Sequence, residues 1–76
     1  MKNVNLIAAR KSKGFTQESL AKELNYTKQA VSNWENGYSI PRTADALKVA
    51  TILEKDVNFL FFDHKVQESH TGENLA

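Results

Sequence analysis

Cysteine is absent from these 76 residues, so neither a disulfide nor a thiolate zinc site can staple the fold. Proline occurs once, at Pro41, and marks a loop. No stretch approaches the roughly 18 apolar residues of a membrane-spanning helix. The apolar run at residues 6–9 is too short for the core of a signal peptide, and the chain is expected in the cytoplasm. There is no glycine-rich phosphate loop, and no nucleophile motif surrounds a serine or histidine, so no enzymatic activity is expected. His64 and His70 stand in a polar stretch without a set of partner ligands, and neither a metal nor another cofactor is expected. A chain this short and unstapled depends on tight helix packing, on a partner subunit, or on both.

What is present is enough for one core. Hydrophobic residues make up 41%, too many for a disordered chain of this length. The formal charge of +1 conceals an asymmetry. Residues 1–48 carry eight basic and four acidic side chains, a net +4, whereas residues 49–76 carry two and five, a net −3. A basic front and an acidic back suit a protein that turns one side to a polyanion.

The hydrophobic spacing predicts an all-α fold. A first helix covers about residues 3–13, with Leu6, Ile7 and Arg10 on one side and Gly14 as its stop. Thr16 is the expected N-cap of a second helix whose buried stripe is Leu20, Ala21 and Leu24, with Phe15 and Leu20 spaced as a hydrophobic staple. Asn25 follows at a turn and tolerates the left-handed conformation. Thr27 repeats the pattern for a third helix to about Glu35, with Tyr26 and Val31 as the staple and Gly37 as the left-handed stop. After the loop holding Pro41, Thr43 is expected to cap a fourth helix with a stripe of Ala46, Leu47, Ala50 and Leu53. Asp56 starts a short fifth helix carrying Val57, Leu60 and Phe61. Residues 63–76 are polar and aperiodic and are expected to form a flexible tail, leaving residues 1–62 as the domain.

Two short capped helices joined by a turn of about three residues have the form of a helix-turn-helix, here at residues 17–36. At about 100° per residue, Thr27, Ala30, Val31 and Trp34 fall on one side of the third helix, which makes Trp34 a core residue. Gln29, Ser32, Asn33 and Asn36 fall on the other side, with Lys28 at its flank. An ordinary amphipathic surface helix also has a polar outside, but usually mixes acids into it. This face has none. Its amides can make bidentate contacts with adenine, and Lys28 can reach guanine or a phosphate.

The segments Gly14-Phe15-Thr16-Gln17-Glu18-Ser19-Leu20-Ala21 and Thr27-Lys28-Gln29-Ala30-Val31-Ser32-Asn33-Trp34-Glu35-Asn36-Gly37 closely resemble the Cro/cI-type helix-turn-helix family, also called the XRE family. The resemblance extends over about residues 4–62 and is nearest to small phage and prophage repressors. It implies a compact five-helix lambda-repressor-like domain. It also implies base reading by Lys28, Gln29, Ser32 and Asn33. Gln17, Asn36, Arg42 and Thr43 would contact the DNA backbone, with Gln17 also bracing the first base-reading side chain and the start of the fourth helix adding its dipole. Arg10 and Glu35 would form a buried ion pair. Asn25 departs from the family, which most often has glycine there, and implies a small stability cost.

The run Phe59-Leu60-Phe61-Phe62 cannot be buried whole by one helix. Leu60 and Phe61 are expected inside, leaving Phe59 or Phe62 turned out. Such an aromatic either covers the N-terminal segment or makes a homodimer contact, and the resemblance favours the dimer. The expected activity is sequence-specific binding of double-stranded DNA by a homodimer, at a palindromic operator, to regulate and most often repress transcription. No membrane and no small-molecule ligand enters this reading. Its rival is an interaction module or antitoxin that holds a partner protein through the exposed aromatics and acidic back.

Overall fold

Three polar side chains start the first three helices of the computed structural model, which describes residues 1–62. The Asn3 Oδ1 accepts from the Leu6 amide at 3.0 Å and opens α1 (Val4–Ser12). Thr16 opens α2 (Gln17–Leu24): its hydroxyl accepts from the Ser19 amide, and the Ser19 hydroxyl accepts from the Thr16 amide, each at 2.9 Å. Thr27 opens α3 (Lys28–Asn36), accepting from the Ala30 amide at 3.2 Å. Each bond satisfies an amide that the helix itself leaves unpaired. The Ser19 half of the α2 box was not anticipated, because glutamate or glutamine is the usual partner there.

The fourth helix, α4 (Thr43–Leu53), departs from the expected start. Thr43 is its first helical residue, and Arg42 is the cap position, extended at φ −63° and ψ 158° with no side-chain bond to the helix. Asp45 places a negative charge in the first turn, where the helix dipole favours one. The buried stripe is also corrected. Ala46, Val49, Ala50 and Leu53 face the core, whereas Leu47 is 51% exposed. The 3.6-residue period makes Val49 the neighbour of Ala46 and turns Leu47 about 100° away.

Three of the helices end on a left-handed residue: Asn25 at φ 60°, Gly37 at φ 80° and Glu54 at φ 57°. Asn25 and Gly37 stand where the sequence placed them. Glu54 does so at the cost of an ordinary side chain in that region, about 1–2 kcal/mol. Its carboxylate meets Lys13 Nζ at 2.8 Å, joining the ends of α1 and α4. At Gly37 a Cβ would also fall 1.9 Å from the Met1 carbonyl oxygen, so the position requires glycine for space as well as for conformation.

The chain before α1 lies across the end of α3, where the Asn3 amide donates to the Glu35 carbonyl at 2.8 Å. Asp56 starts a short π-helical turn, α5 (Asn58–Phe62), by accepting from the Asn58 amide at 2.9 Å. Leu60 and Phe61 are buried as the aromatic run requires, Phe59 is the ring turned out at 37% exposure, and Phe62 packs partly on the core. Asn3 and Asn5 donate to the carbonyls of Leu60 (2.6 Å) and Phe59 (3.1 Å), fastening α5 to the start of α1. The tail expected at residues 63–76, with His64 and His70, lies outside the described residues.

Every helix contributes to one core, with Leu6, Leu20, Val31, Val49, Leu53 and Leu60 fully buried. Trp34 is core, 5% exposed, and meets the Tyr26 ring edge-on at 5.3 Å. Beside it lies the ion pair. Arg10 Nε donates to Glu35 Oε2 at 2.6 Å, a terminal guanidinium nitrogen donates to Oε1 at 3.3 Å, and the other donates to the Phe15 carbonyl at 2.8 Å. Both residues are buried, at 8% and 3% exposure, so each charge depends on the other. Glu35→Ala is expected to cost about 3–5 kcal/mol, and a double replacement of Arg10 and Glu35 by apolar residues much less than two such losses. Thermal melts check this, and a shift of only a degree or two for Glu35→Ala contradicts it.

Candidate nucleic-acid interface

The side chains of α3 divide as the helical period requires. Val31, Trp34 and Glu35 are buried, while Lys28 and Gln29 are exposed and Ser32, Asn33 and Asn36 are half-buried at the surface. The only carboxylate of the helix is therefore the inward one, already neutralised by Arg10. The outer face presents one ammonium, three amides and a hydroxyl.

These groups are already ordered against one another. Gln29 Nε2 donates to Asn33 Oδ1 at 3.0 Å, and Asn36 Nδ2 donates to Ser32 Oγ at 3.2 Å, both one turn apart. Gln29 keeps its own carbonyl oxygen and a second N–H, the two groups a bidentate contact with adenine needs. Asn33 keeps both N–H donors.

Gln17, at the first position of α2, is half-buried, and its Nε2 donates to Glu35 Oε1 at 2.9 Å. The amide thus braces Glu35, because a buried carboxylate is a strong acceptor for an amide N–H. The second N–H of the same nitrogen remains for a phosphate.

Arg42 and Thr43 stand exposed at the start of α4. Arg42 Nε lies 3.6 Å from Asp45 Oδ2, and the arginine side chain is 86% exposed. The Tyr26 hydroxyl donates a hydrogen bond to the same Asp45 oxygen. Chiefly through that bond, Asp45 holds the Tyr26 phenol above its ordinary value, so Tyr26 remains a donor at neutral pH. The sequence pattern marks Tyr26 only as a staple residue, and this link joins positions 19 apart. The available signal was that a partly buried tyrosine hydroxyl needs a partner.

Two other surfaces are less specific. A hollow of about 290 Å³ on α4 is lined by Ala44, Leu47, Lys48, Thr51 and Ile52. Phe59 and Phe62 lie on α5, away in sequence from the polar face of α3. Among the described residues no helix is long and apolar enough to cross a membrane, and no group of three or more potential metal ligands comes together.

Residues 6–60 match the family described as helix-turn-helix. No curated protein matches the chain.

The Gln17–Glu35 bond gives Gln17 a structural role beside any contact it makes with a ligand. Gln17→Ala is expected to lower stability by about 1–2 kcal/mol, as for loss of a hydrogen bond to a charged acceptor. Gln29→Ala, on the exposed face, should leave the melting temperature almost unchanged. Parallel thermal melts decide it, and equal melting of both variants and the wild type would remove the assigned role of Gln17.

Proposed function

The chain belongs to the XRE type of the helix-turn-helix family, whose members bind DNA and regulate transcription, and from that premise we propose that it is a sequence-specific repressor acting as a homodimer. The observation that carries the proposal is the outer face of α3. It is polar, donor-rich and free of carboxylate, because Glu35 is turned into the core. Such a helix fits the major groove, where each base pair displays its own pattern of donors and acceptors.

In this reading residues 1–62 are the DNA-binding domain. Lys28, Gln29, Ser32 and Asn33 read bases. Gln17, Asn36, Arg42 and Thr43 hold the backbone and fix the position of α3 without reading sequence. The unpaired amides at the start of α4 add a favourable dipole for phosphate, with Arg42 beside them. Repression follows from occupying a promoter. That inference rests on the family and not on the site.

Phe59 and Phe62 are the proposed dimer contact. Phe59 is a large apolar side chain at the surface, and Phe62 is only partly covered by the chain's own core. A two-fold dimer places two copies of α3 in successive major grooves about 34 Å apart, which calls for a palindromic site.

The test is selection of a duplex from a random pool, followed by titration at one fixed salt concentration. Gln29→Ala and Asn33→Ala should each weaken binding to the selected duplex by about 1–3 kcal/mol and barely change binding to a scrambled one. Because the two amides are bonded to each other, the double variant should lose less than the sum of the two. Equal losses on both duplexes would mean that α3 is not the reading helix. For assembly, analytical ultracentrifugation should show wild-type dimer and polar variants of Phe59 and Phe62 as soluble monomer. A wild type that stays monomeric at roughly tens of micromolar, with and without DNA, would exclude the dimer.

A further inference from the structure

Asp45 is the only acid of α4 and is 9% exposed, although nothing in an apolar core calls for a charge there. A single oxygen, Oδ2, serves both its partners: it accepts from the Tyr26 hydroxyl and lies 3.6 Å from Arg42 Nε. The two partners belong to different parts of the fold. Tyr26 occupies the turn between α2 and α3, and its ring meets Trp34 inside α3 at 5.3 Å. Arg42 is the cap position just before α4. A continuous line of contacts, Trp34 to Tyr26 to Asp45 to Arg42, thus runs from the buried side of α3 to the exposed start of α4. At 3.6 Å the last link is an ion pair without a hydrogen bond, so Arg42 is aimed and keeps its donors for another anion.

We propose that Asp45 is a positioning residue for DNA recognition, holding Arg42 and the start of α4 in fixed spacing to the reading face of α3 through Tyr26. The inference rests on the DNA-reading assignment above. On a preferred duplex the backbone and base contacts are made together, so the distance between α3 and the start of α4 must match the duplex. On a scrambled duplex the backbone contacts alone suffice, and that distance matters little. Asp45 therefore acts on sequence preference more than on general affinity, and it does so through Arg42.

Tyr26→Phe removes the hydroxyl and keeps the ring on Trp34. It should weaken binding to the pool-selected duplex about tenfold, the scale of a lost hydrogen bond to a charged acceptor, and binding to the scrambled duplex under about twofold. In an Arg42→Ala background the same change should have almost no effect on the selected duplex, because the group being positioned is gone. Asp45→Ala should behave like Tyr26→Phe, and so should Asp45→Asn, which retains an oxygen to accept from Tyr26 but loses the charge that holds Arg42. Titrations are run below the onset of melting for each variant. A Tyr26→Phe loss that persists unchanged in the Arg42→Ala background, or falls equally on both duplexes, overturns the positioning role and leaves the reading helix intact. A wild type with no preference for any selected duplex overturns the DNA-reading assignment and the inference with it.

Discussion

Arg10 reaches from the last turn of α1 to the last turn of α3, where its guanidinium closes on Glu35 at 2.6 Å in a setting almost without water. Desolvation makes each charge expensive alone, so each of the two residues requires the other where α1 meets α3. A further donor of Arg10 takes the Phe15 carbonyl, and Gln17 adds a third donor to Glu35. Thus α1, the entry to α2 and the end of α3 are joined at one carboxylate. The same arrangement clears the outer face of α3 of negative charge. One interaction therefore serves the fold and determines what α3 can face.

The rest of the structure holds α3 at both ends. Thr27 satisfies its first turn, and Gly37 turns the chain away beneath the Met1 backbone. Asn3 connects the end of α3, the start of α1 and the α5 backbone through its own amide, its side-chain oxygen and its side-chain nitrogen. A nine-residue helix is marginal by itself in water, and these attachments supply the stability that its length does not. Rigidity matters because a reading helix displaced by about an ångström loses the alignment of its hydrogen bonds.

The electrostatics follow from the same placement. Of the acids in the basic front half, Glu35 is buried and paired with Arg10, and Asp45 is buried between Tyr26 and Arg42, whereas Lys28 meets no carboxylate among the described residues. The tie between Arg42 and Asp45 is partial, since at 3.6 Å it is an ion pair without a hydrogen bond and the arginine side chain is 86% exposed.

Much of this was legible along the chain because it is decided within a few residues. Threonine before an apolar period starts a helix, asparagine and glycine accept positive φ, and a 3.6-residue period separates Val31 and Trp34 from Gln29 and Asn33. The all-α class, the first three helices, the inward Leu60 and Phe61 and the two faces of α3 follow from those local rules. The Arg10–Glu35 pair came from family resemblance, since no local rule joins residues 25 apart. The start and stripe of α4 were local too, and there the period and cap were misassigned: Arg42 is the cap and Val49 stands in the stripe in place of Leu47. Other features depended on what the packed chain brought near: Gln17 turned to Glu35, and Tyr26 found Asp45, 19 residues away. Sequence determines where helices start, stop and divide, because those energies are local. Only the tertiary structure decides which polar groups share a buried partner, because that depends on desolvation, and desolvation exists only once the helices have packed.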